Sequence, residues 1–204
     1  MGKFKFLPVL WIAAVGAGVG LVWDYAETPG VQAHPPDRWP SQSLVRPAKK
    51  LSTLVMVAHP HCPCTRASIR ELARLMAQCP GLVTAHVLFY KPRGFSPGWE
   101  RTDLWGEAAS IPGVEVFSDI DGEEGRRFGA FTSGQTILYS PSGQLQFEGG
   151  ITSSRGHSGD NFGRSSIVSI LTRGTAELRR TPVFGCSLVT PGSEEHHAKA
   201  SQTH

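Results

Sequence analysis

The chain opens on an uncharged apolar run, Phe6 to Trp23, and changes character several times after it. Eighteen residues of this kind, with Trp11 and Trp23 along them, are just enough to cross a bilayer as a helix. From Glu27 to Pro47 apolar positions thin out and prolines recur at 29, 35, 36, 40 and 47, which predicts an extended, semi-rigid linker. Leu51 to Ala58 is a short apolar run rich in β-branched residues, the pattern of a buried strand. Beyond a polar break, Ile69, Leu72, Met76 and Cys79 repeat at spacings of three, four and three, one face of a helix that Pro80-Gly81 ends.

The pattern then predicts a second strand over Leu82–Phe89, with His86 a half-buried residue inside it. A Pro/Gly loop follows to Glu100, then a weak helix over Arg101–Ser110 and a strand over Val114–Phe117. Asp121 with Glu124 three positions on predicts an N-capped short helix to about Phe128. Gly134–Tyr139 and Leu145–Glu148, joined by the turn Ser140-Pro-Ser-Gly143, read as an antiparallel hairpin. Asp160 is placed to cap a last helix through Ile167, Ile170 and Leu171, ended by Gly174. Strand, helix, strand, helix, strand, hairpin and closing helix is an α/β layer pattern with a central mixed sheet. The resulting division is 1–24 membrane anchor or signal, 25–47 linker, 48–174 folded domain, and 175–204 an extension disordered beyond about 190.

Composition narrows the function. A chain of 204 residues with 18% charged residues and a net charge of +3 has no basic stripe, which argues against a nucleic-acid partner. The N-terminal run is either a retained anchor or a signal peptide cut after Val31-Gln32-Ala33; its length favours the anchor. With Lys3 and Lys5 on the inside, the expectation is a single-pass membrane protein whose soluble domain lies in the periplasm or extracytoplasmic space.

Four cysteines are too few for a disulfide scaffold at this length, and two of them form Cys62-Pro63-Cys64 where the buried strand hands over to a helix. Unpaired N–H groups and the positive end of the helix dipole favour a thiolate there. Redox work needs one low-pKa thiol to attack and a second to resolve the mixed disulfide. Soft thiolates at close spacing also suit Cu(I). His61 and Arg66 flank the pair and favour a thiolate if they come close, whereas His59 reads as the end of the strand. Cys79 reads as core, and Cys186 is open: it pairs with Cys62 or Cys64, binds metal beside them, or is idle. Nucleophile-elbow, phosphate-loop and His-Glu-x-x-His motifs are absent.

The strand-Cys-helix unit, Phe117-Ser-Asp-Ile-Asp-Gly122, Phe128-Gly129-Ala130 and Thr136-Ile-Leu-Tyr-Ser-Pro-Ser-Gly143 followed by Gly149 together resemble the thioredoxin superfamily over about Leu51 to Gly174. Within it they are most similar to the membrane-anchored TlpA/ResA-like type. The resemblance implies a three-layer thioredoxin-like fold and a thiol–disulfide oxidoreductase acting on protein thiols or disulfides outside the cytoplasm, with a redox-active disulfide and no cofactor. It makes Cys62 the attacking thiol and Cys64 the resolving one, while their positions before the helix and in its first turn predict Cys62 to be the more exposed and Cys64 partly covered. It also puts the loop with Arg155 and His157 on the cysteine end of the sheet. Two departures stand out. The family's Cys-x-x-Cys is one residue longer, and Gln135 falls where the family has a cis-proline that binds substrate and keeps metal off the thiols. The alternatives are a Cu(I)-binding or delivery protein using Cys62, Cys64 and His157, similar to Sco-type members but without their spacing, and a non-enzymatic module keeping only the fold.

Overall fold

The computed structural model describes residues 6–188. Its first element is a 22-residue helix, α1 (Phe6–Glu27), whose apolar side chains stand exposed from Val9 to Trp23. No other described residue covers that stretch, and the helix is long and apolar enough to cross a membrane. Lys3, Lys5 and everything beyond 188 lie outside the described residues, as does the expectation of disorder past about 190.

Among the described residues the strands form one five-stranded mixed sheet, in the order β3 (Val114–Ile120), β2 (Val83–Lys91), β1 (Ser52–Ala58), β4 (Gln135–Tyr139), β5 (Leu145–Gly150). The first three strands run parallel, while β4 pairs antiparallel with β1 and β5 with β4. With α2 (Pro63–Gln78) crossing over between β1 and β2, this is the thioredoxin-like arrangement. Because β1 is central, it buries every residue, sending Leu54, Met56 and Ala58 to one core and Val55 and Val57 to the other. That two-sided burial is why the run shows no polar alternation.

The two faces are covered differently. On one, α2, α3 (Asp103–Ala109) and α5 (Phe162–Arg173) supply Leu72, Leu75, Leu104, Ile167 and Ile170 to the larger core. On the other, among the described residues, there is only the five-residue α4 (Glu123–Arg127), and the rest is irregular chain. Here the linker expectation is corrected. Val45 is buried in the second core and Trp39 packs edge-on against Phe128 and Tyr139 at 5.0 and 5.2 Å. Tyr139 Oη donates to the Pro36 carbonyl at 3.0 Å, and Gly30 N–H to the Val183 carbonyl at 2.8 Å. Residues 28–47 thus form part of the domain, because a sheet face left bare by a short α4 has to be covered. The segment after Gly174 folds back as well, with Val183, Phe184 and Leu188 buried.

Both predicted caps shift by a residue or two. Asn161, not Asp160, caps α5 by accepting from Arg164 N–H at 2.8 Å, leaving Asp160 to pair with the Arg164 side chain at 3.1 Å. At α4 the second and third amides, Glu124 and Gly125, donate to the buried Asp119 carboxylate at 2.8 and 2.9 Å, and Asp121 sits in the preceding turn. Strands β2 and β3 each run two or three residues further than the apolar pattern, because they pair with each other to Lys91 and Ile120.

Candidate functional site

Three segments meet at the carboxyl end of β1. The first is the strand-to-helix junction. Cys62 is the N-cap of α2 with an extended backbone (φ −97°, ψ 123°), and Pro63 takes the first helical position, where its missing N–H costs nothing. Cys64 therefore lies in the first turn. The second segment is the loop before β4. Ser133 Oγ accepts from His59 N–H at 2.9 Å and lies 2.7 Å from Thr65 Oγ1, tying the loop to both sides of the junction. Gly134 donates to the Val57 carbonyl at 2.8 Å; any Cβ there would meet Ser68 Oγ at 2.5 Å.

The third segment is the returning chain. Ser133 N–H donates to the Cys186 carbonyl at 2.9 Å and Leu188 N–H to the Phe131 carbonyl at 2.8 Å, with Thr132 and Ser187 in an antiparallel bridge. Phe184–Leu188 is thus laid along the 131–133 loop like an added strand. Gly185 makes the approach possible, since a Cβ there would fall 1.9 Å from the Ser133 carbonyl oxygen. This pairing brings Cys186 onto the other two thiols: the Sγ atoms of Cys62, Cys64 and Cys186 all lie within 4.8 Å of one another. None of the three is in a disulfide.

Burial reverses one expectation. Cys62 is 3% exposed and Cys64 8%, so the first thiol is covered no less than the second, and Cys186 is the more open of the three. The trio shares its protons unequally. The thiol of Cys64 donates to Cys62, and Cys186 adds a second such bond, which together hold Cys62 well below the ordinary thiol range despite its burial. Cys64 is pushed up in turn, first by donating that bond and then by burial. Burial, and then the bond to Cys62, push Cys186 up to about 11. One thiolate with two protonated neighbours is the state this geometry favours.

The flanking charges differ from those expected. Arg66 turns away to pair with Asp103 at 2.5 Å and with Glu107, both on α3. Arg155 supplies the cation instead: its charge lowers both Cys64 and Cys186, and its guanidinium donates to the Gly185 carbonyl. His61 packs on Trp99 (centroids 4.6 Å) and is exposed, whereas His59 is the imidazole that feels the Cys62 charge. Burial lowers His59 below its usual value, against the opposing pull of Cys62, which keeps the ring neutral at neutral pH. Gln135 does not face the thiols. Its buried amide accepts from Phe131 N–H at 3.1 Å and donates to the Gly129 carbonyl at 3.1 Å, bracing the loop from behind. His157 is exposed, with Nδ1 3.0 Å from the Arg155 carbonyl oxygen, and is not among the groups gathered at the sulfurs. The Cu(I) set Cys62–Cys64–His157 is therefore not assembled, and Cys186 stands where the imidazole was expected.

Ser133, Thr65, Arg155 and His59 carry more of the site than the pattern of residues foretold. For Ser133 the only signal was its place just before β4. The loop bearing Arg155 is fixed from behind by Glu71, a fully buried carboxylate of α2. Glu71 pairs with Arg164 Nε at 2.8 Å and accepts from Ser158 Oγ and Gly159 N–H at 2.6 and 2.9 Å. The same loop reaches α1: Arg155 N–H donates to the Ala26 carbonyl at 3.0 Å and its guanidinium lies 4.8 Å from the Tyr25 ring centroid.

No protein-family model matches the chain, and no curated protein does. Among solved structures, an uncharacterized conserved protein from Geobacillus kaustophilus superposes with a TM-score of 0.59. It covers 82% of this chain and 94% of its own, at 21% identity. A hypothetical protein from Sinorhizobium meliloti 1021 gives 0.57 over 81% of this chain and 96% of its own, at 17% identity. A secreted Mycobacterium tuberculosis disulfide oxidoreductase is similar over 47% of this chain and 66% of that one, with a TM-score of 0.38 and 16% identity. The first two likenesses extend over nearly the whole described chain and speak to fold alone; the third is too loose to bear on chemistry.

Proposed function

We propose that the chain is a membrane-tethered thiol–disulfide oxidoreductase working outside the cytoplasm on protein partners, with Cys62 as the attacking sulfur. The observation that carries this reading is the meeting of three reduced sulfurs, two at a helix N-terminus and one on a strap hydrogen-bonded beside it. A buried structural thiol has no use for two more within reach; a resolving reaction does.

The Cys62 thiolate attacks one sulfur of a partner's disulfide, forming a mixed disulfide and releasing the partner's other sulfur as a thiolate, which takes a proton. A second thiol of the chain, Cys64 or Cys186, then loses its proton and attacks Cys62, expelling the remaining partner sulfur. The chain leaves with an internal disulfide and the partner with two thiols, a transfer of two electrons. A reduced dithiol protein resets it by the same steps in reverse. Arg155 aids the second step by favouring the thiolate form of Cys64 and Cys186. Reaching Cys62 requires the Phe184–Leu188 strap to give way, since Cys62 itself is covered. The partner's extended chain would then take over the hydrogen bonds on the 131–133 loop.

Because two sulfurs stand ready to resolve, removing one is not expected to trap a complex. Cys64→Ser with Cys186→Ser should accumulate a mixed disulfide through Cys62, visible as a reductant-sensitive adduct, while each single variant turns over. A comparable adduct formed by Cys62→Ser would assign the attack to another sulfur. If no variant forms an adduct and the wild-type thiols resist both oxidant and reductant, the oxidoreductase reading fails.

A further inference from the structure

We infer that Cys62, Cys64 and Cys186 form a binding site for a single Cu(I) ion with three sulfur ligands, assembled only when the Phe184–Leu188 strap is seated. The sulfurs come from two places, the start of α2 and a segment more than a hundred residues later, and converge to within 4.8 Å of one another. Bound thiolates sit about 2.3 Å from a metal of this size. Three sulfurs around one centre then lie roughly 4 Å apart. Only small side-chain adjustment separates the observed cluster from that geometry.

The donor set selects the metal. Three soft sulfurs with no oxygen donor exclude Mg(II) and Ca(II), which demand hard ligands. Zinc in a closed site takes four ligands, and among the described residues no histidine or carboxylate joins the three sulfurs. Cu(I) is soft and accepts three thiolates without a fourth partner. Burial of Cys62 and Cys64 keeps water away from the ion, as an oxidisable cuprous centre requires.

Charge points the same way. Three thiolates around one Cu(I) leave two negative charges in a buried place. Arg155 is the cation beside Cys64 and Cys186, and its Nε is buried without a hydrogen-bond partner. An unpartnered cationic N–H beside sulfurs is unfavourable unless a negative centre is there to receive it. Arg155 is pinned in place by the Gly185 carbonyl on the strap and by the loop that Glu71 anchors. This role is independent of the oxidoreductase reading, since binding a cuprous ion transfers no electrons.

The test uses the full-length chain in detergent, reduced and anaerobic, titrated with Cu(I) supplied as its acetonitrile complex against a chromophoric Cu(I) chelator. One equivalent is expected to stay on the protein, and X-ray absorption should show a first shell of sulfur alone. Cys186→Ser should weaken retention by more than the roughly 10–100-fold typical of changes outside the first shell. His157→Ala should leave it unchanged. Near-ultraviolet circular dichroism of Cys186→Ser establishes that the domain is folded, and the wild-type absorption spectrum does not depend on any variant. Copper surrendered fully to the chelator, a nitrogen or oxygen in the first shell, or undiminished binding by Cys186→Ser would each overturn the inference. Mixed-disulfide trapping is run without metal, so either result there leaves this one standing.

Discussion

Helix α2 has a cysteine at each end, and the two could hardly differ more. Cys62 is the N-cap and Cys79 the C-cap; both are buried, at 3% and 0% exposure. At Cys79 burial is the whole story. The thiol sits in the larger core among apolar neighbours, and the missing solvation pushes its pKa up. At Cys62 burial pushes the same way and loses, because two thiols donate hydrogen bonds to the sulfur. The helix dipole adds to the contrast, positive at the first cap and negative at the second. The acidity of a thiol is thus set by what the surrounding chain brings to it, not by how deeply it lies.

The sharpest way to break this comparison is to exchange the roles by mutation. Cys62→Ser should lower the rate of disulfide exchange by at least about a thousandfold, as removal of an attacking group does. Cys79→Ala should leave exchange intact and cost roughly 1–2 kcal/mol of unfolding free energy through the small cavity it leaves. Stopped-flow exchange kinetics and denaturant melts of both variants check the pair of statements. A Cys79 variant that loses exchange while remaining folded would show that burial does not silence that thiol.

The second prediction concerns what holds the first cap's surroundings in place. Glu71→Ala takes from Arg164 its buried carboxylate partner, leaving it the exposed Asp160 and Gln78, and should cost about 2–3 kcal/mol. Glu71→Gln should cost less, since the amide oxygen still accepts from Ser158 and Gly159. Urea melts compare the two; equal, negligible losses would mean that Glu71 does not anchor the loop.

Much of the fold was legible in the residue pattern, and the reasons are physical. A central strand buried on both faces must be continuously apolar, and Leu51–Ala58 is. A helix lying on the sheet must repeat at three and four, and Ile69–Cys79 does. The covering of the second face was not legible. Val45, Trp39 and Leu188 each fill it singly, between prolines and polar residues, and backbone hydrogen bonds do the rest. Such contacts leave no periodicity. The site divides along the same line. Cys62 and Cys64 announce themselves by position at the strand-to-helix junction. Cys186 reaches them through backbone pairing with residues 131–133, and Arg155 through a loop fixed by Glu71. Adjacency in sequence misled for Arg66 and His61, because successive side chains on a helix or turn point apart. Arg66 found acids on α3 and His61 an aromatic ring.

A third, smaller effect sharpens the role of charge. Arg155→Gln should slow resolution by a few-fold at neutral pH. It should also move the alkaline limb of the exchange rate upward in pH, since Cys64 and Cys186 lose the cation that lowers them. Arg66→Gln, whose side chain faces Asp103 and Glu107, should shift nothing. Rate–pH profiles of the two variants decide the matter, and an unmoved limb in Arg155→Gln would remove the arginine from the site.

The thiols also make stability depend on pH in a definite sense. Cys62 is depressed on folding, so its contribution is present in full above the unfolded thiol value of about 8.5 and is lost as pH falls through its folded value. Cys64, Cys79 and Cys186 are raised, so theirs is present below about 8.5 and fades as pH rises beyond it. The reduced chain should accordingly gain stability from acid pH toward about 8 and lose it above about 9. Melting temperatures of wild type and Cys62→Ser across that range should converge at the acid end; parallel curves would show that Cys62 is not perturbed by folding.

The most direct measurement is the ultraviolet absorbance of thiolate in the reduced protein as pH is raised, for wild type and for Cys62→Ser. The wild type should hold close to one thiolate per chain already at about pH 6, well under the free thiol value of about 8.5, and Cys62→Ser should abolish that early step. The Cys64→Ala, Cys186→Ala double variant should push the step back toward alkaline pH, because the groups that donate hydrogen bonds to Cys62 are gone. A wild-type curve with no thiolate until about pH 8.5, or an early step that survives Cys62→Ser, would contradict the assignment of Cys62 as the attacking sulfur.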